Sequence, residues 1–178
     1  MNLEGLSFVR LSPEHIIKPF DCGDSDLNDF LLNDAKLYQV QLLTVTYLIE
    51  SDIETVAFFS LLNDKISVIE ATDKKIWNRV RRKIPYTKHK SSFPAMKIAR
   101  LGVCNASKGQ SIGTGILDYL KQLFINNNRT GCRFITVDAY RQALSFYERN
   151  GFDYLTIQDV DKDTRLMYFD LSTIAQTT

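Results

Sequence analysis

From Arg100 to Gly115 the chain reads Arg-Leu-Gly-Val-Cys-Asn-Ala-Ser-Lys-Gly-Gln-Ser-Ile-Gly-Thr-Gly. A strand-like run enters a glycine-rich turn, and the turn enters a stretch whose apolar residues recur at helical spacing. The first turn of a helix presents up to four backbone N–H groups and the positive end of the helix dipole, so such a junction suits a phosphate. Glycines at 109, 113 and 115 let an anion approach the backbone closely. Two common nucleotide signatures are absent. The turn has no Gly-Lys-Ser/Thr at the helix start and no Gly-x-Gly-x-x-Gly. A turn that serves only chain reversal is the competing reading, and the rest of the sequence must decide.

Other chemistry-bearing residues are few. Cys22, Cys104 and Cys132 form no Cys-x-x-Cys pair, and His15 and His89 lie near none of them, so no metal site is expected. Any Ser–His or Cys–His triad would need one of those two histidines. The formal net charge is only +1, but its distribution is uneven. Lys74, Lys75, Arg79, Arg81, Arg82, Lys83, Lys88, Lys90, Lys97 and Arg100 lie in one segment with no Asp or Glu between them. Such a run creates a local positive field suited to an anionic macromolecule. Trp77 and Tyr86 beside the arginines offer rings for stacking on bases. A solvated basic helix is the plainer alternative.

The elements that must position these groups follow from periodicity. Strands are expected at residues 6–11, 43–50, 53–62, 95–103, 133–139, 154–157 and 165–171. Asp24 or Ser25 can cap a helix carrying Leu27, Phe30, Leu31, Ala35 and Tyr38. Further helices are expected at 74–83, stopped by Pro85, at 109–126, and at 142–149, stopped by Asn150-Gly151. In 95–103, Met96 and Ile98 share one parity and Leu101 and Val103 the other, which suggests a β-bulge between them. The expectation is one mixed α/β domain over residues 1–178, with a basic insertion at about 66–92. The 44% hydrophobic and 11% aromatic content excludes dominant disorder. The longest apolar stretch, residues 56–62, is far short of the roughly 20 residues a membrane helix needs. The start of the chain lacks a basic, then apolar, export signal, and with an odd number of thiols this reads as cytoplasmic.

The turn and a second run together resemble the GNAT superfamily of acetyl-CoA-dependent N-acetyltransferases. That family's pyrophosphate loop has the form Gln/Arg-x-x-Gly-x-Gly/Ala. Counting from Val103 places it at Lys108-Gly109-Gln110-Ser111-Ile112-Gly113, with Lys108 where Gln or Arg is usual and Ser111 where the first Gly is usual. A literal match starts two residues later, at Gln110, but breaks the strand-to-loop distance. The second run, Ala143-Leu144-Ser145-Phe146-Tyr147-Glu148-Arg149-Asn150-Gly151-Phe152, is similar to the family's Ala-x-x-Phe-Tyr-x-x-x-Gly-Phe. Tyr140 stands where an Asn is common.

The resemblance implies an α+β fold: a mixed, mostly antiparallel central sheet with a splayed, bulged strand and flanking helices. It implies acetyl-CoA bound through Leu101, Gly102, Val103, Lys108, Gly109, Gln110, Ser111, Ile112, Gly113 and Thr114, without a metal. It makes Tyr147 the general acid for the departing thiolate. The carboxylate that some members carry on the bulged strand is missing from residues 93–103. An α-amine, with a reference pKa near 8, therefore suits as acceptor better than a lysine near 10.4.

Phe20, Gly23, Leu27, Phe30, Leu31 and Ala35 are similar to the branch that includes toxin-type acetyltransferases acting on charged tRNA. For that branch the expected partners are charged tRNA, through Arg79, Arg81, Arg82, Lys83 and Arg100, and a small ribbon–helix–helix antitoxin. A homodimer is compatible with the sequence. The alternatives are an acetyltransferase for a small-molecule or protein amine, and a catalytically weak acetyl-CoA-binding regulatory module.

Overall fold

The computed structural model describes residues 5–71, 73–82, 84–85, 90–126 and 130–175. Seven strands pair in the order β1-β2-β3-β4-β5-β7-β6. They are β1 (Ser7–Arg10), β2 (Val45–Glu50), β3 (Thr55–Ser67), β4 (Ser92–Val103), β5 (Phe134–Tyr140), β6 (Asp153–Tyr154) and β7 (Thr164–Asp170). The helices are α1 (Ser25–Asp29), α2 (Ala35–Val40), α3 (Lys74–Arg81), α4 (Ile112–Asn126), α5 (Leu144–Arg149) and α6 (Ser172–Ala175). The chain divides into two compact units, Met1–Leu62 with Ile98–Leu120 and Asn63–Lys97 with Lys121–Thr178, so β3 and β4 each contribute to both.

In the first unit β1 runs antiparallel to β2, with Ser7 opposite Glu50, and β2 antiparallel to β3, with Val45 opposite Leu61. The residues of β3 from Thr55 to Leu61 are all buried, as a strand covered on both faces must be. Helices α1 and α2 are joined through a π-helical turn, Phe30–Asp34. That extra residue per turn resets the helical phase. Phe30, Leu31 and Ala35 go into the core, but Tyr38, expected on the same face, is 42% exposed. Asp24 supplies the cap, its carboxylate accepting from Leu27 N–H at 3.1 Å. Leu11, Phe20, Phe30, Leu31, Leu48 and Phe58 centre this unit's core.

In the second unit β5 and β7 pair antiparallel over their full length, from Phe134 opposite Asp170 to Tyr140 opposite Thr164. The helix α3 is capped by Asp73 and buries Ile76, Trp77 and Val80, with Trp77 stacked on Phe93 at 5.4 Å between centroids. Three expectations need correction. The third strand was expected to end at Leu62 but continues to Ser67 through Asn63-Asp64-Lys65, a run that reads locally as a turn. The Asp64 carboxylate accepts a hydrogen bond from Thr136 of β5, and tertiary pairing overrides the local preference. The sixth strand is only Asp153–Tyr154, not 154–157. The switch of buried parity in β4 falls between Ala95 and Met96 rather than between Ile98 and Leu101: Phe93 and Ala95 are buried on one parity, Met96, Ile98 and Gly102 on the other. Leu101 and Val103 are only half-buried, so their apolar character did not mark a core face.

Candidate functional site

The loop from β4 into α4 lies wholly in the first unit. Its path is fixed by backbone bonds: Cys104 N–H donates to Val56 O at 2.8 Å and Asn105 N–H to Asp21 O at 2.9 Å. A single 3-10 turn, Asn105–Ser107, then lifts the chain outward. Lys108 follows, and its ammonium donates to Cys22 O and to Asn105 Oδ1, both at 2.7 Å. Asp21 accepts from Gly23 N–H, from Asn28 and from Asn105, and these bonds, led by the Gly23 N–H, hold its carboxyl below the usual range.

The turn itself contains two left-handed residues, Gly109 at φ 81° and Ser111 at φ 60°. For glycine this conformation is free, whereas a serine pays for it. The first backbone bond of α4 runs from Gly115 N–H to Ser111 O at 2.9 Å. The N–H groups of Ile112, Gly113 and Thr114 therefore precede the helical ladder. Lys108, Gly109, Gln110 and Ser111 are exposed beside them. The residues present fit a phosphate-bearing ligand: backbone donors, a helix start of fifteen residues, and one ammonium. Of the strand residues named with this loop, Leu101 and Val103 are half-buried, and Gly102 packs against rings. A Cβ there would lie 2.8 Å from Phe58 Cε1 and 3.1 Å from Phe20 Cζ.

Tyr147 belongs to the second unit. It sits on α5 between Phe146 and Phe152, with ring centroids at 5.0 and 5.3 Å, and it is buried where Phe146 is half-buried. Burial pushes its phenol well above the ordinary value of 10. The helix ends as its sequence demands: Gly151 is left-handed at φ 84°, a conformation that strains any side chain, and a Cβ there would lie 3.1 Å from the Phe169 ring. The thiols are free, with Cys22 and Cys104 buried; burial pushes Cys132 up to about 11, away from nucleophilic use.

The basic residues do not behave alike. Arg79, Arg81 and Arg82 are exposed, and Arg79 lies 3.4 Å from Asp153. Lys83, Tyr86, Lys88 and His89 lie outside the described residues. Arg100 belongs to the first unit, over the Phe30 ring at 5.1 Å and 3.8 Å from Asp26, so it serves as a brace for α1 there. Lys97 is 2.5 Å from Asp138. Trp77 is corrected: at 9% exposure and stacked on Phe93, it is core and offers no face to a base. The Cys22 carbonyl that holds Lys108 is invisible to sequence reasoning, since a contact across 86 positions leaves no local signal; Asn105, three positions away, is the local partner.

In the seven-stranded sheet β4 thus leads through a left-handed turn to the start of α4. The model of the Acetyltransferase (GNAT) domain matches residues 85–167, so that stretch of the chain is similar to a GNAT acetyltransferase domain. No curated protein matches it by sequence. Among solved structures, a tyrosine-to-phenylalanine mutant of the toxin AtaT, bound to the C-terminus of the antitoxin AtaR and acetyl-CoA, is similar at TM-score 0.74 and 16% identity, covering 97% of this chain and 98% of that one. A tyrosine-to-phenylalanine mutant of KacT is similar at TM-score 0.75 and 21% identity, covering 98% and 99%. AtaT complexed with acetyl-methionyl-tRNAfMet is similar at TM-score 0.73 and 18% identity, covering 97% and 98%.

Proposed function

We propose that this chain is a cytoplasmic N-acetyltransferase that uses acetyl-CoA to acetylate the α-amine of an aminoacyl-tRNA, under the control of a small antitoxin. The observation that carries the cofactor half is the set of backbone N–H groups ahead of the α4 ladder, beside left-handed Gly109 and Ser111. These donors take the pyrophosphate, and Lys108 adds one ammonium. Acetyl-CoA, when bound, supplies the activated acetyl group. The half-buried backbone of Leu101 to Val103 orients the pantetheine arm and donates an N–H to the acetyl carbonyl, where charge develops in the transition state. By the family resemblance Tyr147 would give its hydroxyl proton to the sulfur as the amine nitrogen replaces it on the acetyl carbon, and the proton the amine sheds would restore the phenol. Its raised pKa keeps that proton in place across the physiological range.

The acceptor half rests on two supports. No carboxylate stands on β4 to deprotonate a lysine-like amine, and an α-amine needs least help to be neutral at pH 7. Exposed Arg79, Arg81 and Arg82 provide charge for a phosphate backbone. The similarity to AtaT, whose structure with acetyl-methionyl-tRNAfMet is known, favours this acceptor over a small amine, and the AtaT–AtaR complex favours an antitoxin.

The test is transfer of labelled acetyl from acetyl-CoA to a mixture of charged tRNAs, run beside free amino acids, polyamines and a lysine peptide. Label in the charged tRNA fraction, released by mild base with the amino acid, is the expected result. Label only in free amines would move the acceptor reading to a small molecule. Acetyl-CoA binding without transfer to any acceptor would make the chain a regulatory module.

A further inference from the structure

The first helical segment of the first unit, α1 to α2, carries an exposed apolar surface. Among the described residues, six of the thirteen large hydrophobics left exposed fall between Leu32 and Leu43. Leu37 is 62% exposed, Val40 57% and Leu42 92%. Isolated exposed hydrophobics are ordinary, but a run of them on one helix end marks a contact surface.

Leu42 is the informative one. The helix α2 ends with Leu42 N–H on Gln39 O at 3.0 Å and Leu43 N–H on Tyr38 O at 2.9 Å. That pair of bonds is the Schellman termination, whose left-handed position glycine normally fills. Here Leu42 occupies it at φ 59°. A leucine gains nothing for the fold at that point, because it is almost wholly in solvent and its Cβ strains the backbone. The cost is met only if the side chain is covered by something else.

Charge says what covers it. From Asp21 to Leu43 the sequence has five Asp and one basic residue, Lys36. Asp21 and Asp24 are spent on loop and cap bonds, and Asp26 faces Arg100. Asp29 and Asp34 have no cationic partner among the described residues. Asp29, Asn33, Leu37 and Val40 follow one another at three- and four-residue spacing on the exposed side, acidic toward the N-terminal end and apolar toward the C-terminal end. At about 1.5 Å per residue this face is about 17 Å long.

We propose that this face docks an amphipathic segment of a partner protein, with apolar side chains on Leu37, Val40 and Leu42 and a lysine or arginine toward Asp29 and Asp34. The binding mode is a short helix or strand laid along α2, its specificity set by the acidic end. The surface is independent of the acceptor reading and of the α4 loop.

The experiment uses the full chain and two synthetic helical peptides with the same leucine spacing, one bearing lysines and one bearing glutamates, read by fluorescence anisotropy. The lysine peptide should bind, and the glutamate peptide at least tenfold more weakly. Leu42→Gly should raise Tm, because glycine relieves the left-handed strain, and yet weaken lysine-peptide binding at least tenfold. A loss of binding in a protein that has become more stable cannot be ascribed to misfolding. Asp29→Lys with Asp34→Lys should reverse the peptide preference. The proposal is overturned if neither peptide binds, or if both bind equally. It is also overturned if wild type sediments as a dimer that Leu42→Gly dissociates, since a second copy is then the occupant, or if binding is found only to anionic lipid vesicles.

Discussion

The ammonium of Lys108 lies 2.7 Å from the carbonyl oxygen of Cys22, so the loop ahead of α4 is tied to the segment ahead of α1. The same group donates to Asn105 Oδ1, which leaves one of its three N–H bonds for an anion. Lys108 is thus a strut, and under the proposed function it is also a phosphate donor. Lys108→Ala should cost about 1 kcal/mol in urea unfolding, as loss of an exposed charged hydrogen bond does. It should also weaken acetyl-CoA binding several-fold by calorimetric titration. Lys108→Met with unchanged acetyl-CoA affinity would leave only the strut.

Ser111 holds a left-handed conformation in the loop where the family pattern has glycine. Ser111→Gly should stabilise the protein by roughly 0.5–1 kcal/mol, the left-handed penalty less the entropy glycine gains in the unfolded chain. Differential scanning calorimetry reads this as a higher Tm. An unchanged or lower Tm would mean that the serine side chain returns as much as its backbone loses.

Gly102 has no room for a methyl group, because Phe58 and Phe20 occupy the space. Gly102→Ala should destabilise by about 1–3 kcal/mol through overpacking. Pairing it with Phe58→Leu should recover part of that loss, and a double-mutant cycle measures how much. Equal additive losses would show that the two positions do not compete for the same volume.

These residues show where sequence reading reached and where it stopped. The strand–turn–helix at Arg100 to Gly115 and the Phe146-Tyr147 run were legible because local periodicity and glycine placement are local properties. The extra residue in the π-helical turn has no such local sign, and without it the helical spacing puts Tyr38 on the core face. Trp77 reads as a surface ring because it stands among arginines, although its burial is set by Phe93, sixteen positions away. Asn63-Asp64-Lys65 reads as a turn until β5 supplies Thr136 to hold Asp64.

Tyr147→Phe should lower turnover by about 10²–10⁴ and leave acetyl-CoA affinity nearly unchanged, since only a hydroxyl is removed. The pH dependence follows from the direction of its shift. The folded phenol titrates above 10, so its proton is present throughout the neutral and mildly alkaline range. Activity should rise with pH as the acceptor amine loses its proton, and Tyr147 should impose no fall below about pH 10. The unfolded phenol ionises first, so stability linked to this residue is complete below about pH 10 and is lost as pH rises further. An alkaline fall in kcat near neutrality that disappears in Tyr147→Phe would contradict the assignment.

The last prediction concerns the exposed charge of α3 and its end. Arg79 is held by Asp153, so reversing it would set two carboxylates against each other and confuse folding with binding. Arg81 and Arg82 are exposed, and no ion pair to them occurs among the described residues. They are the cleaner test. Each phosphate that such a side chain neutralises releases counterions, so log K falls with log salt by about 0.7–0.9 per contact. Arg81→Gln with Arg82→Gln should therefore weaken charged-tRNA binding at low salt and reduce the salt slope by about 1.5. Activity on a small α-amine mimic of the aminoacyl end, which carries no phosphate backbone, should stay within twofold of wild type. Because Ile76, Trp77 and Val80 form the buried face of α3 and neither arginine does, Tm should not move. An unchanged salt slope together with unchanged tRNA acetylation would reduce this segment to a solvated helix face and detach the tRNA reading from α3.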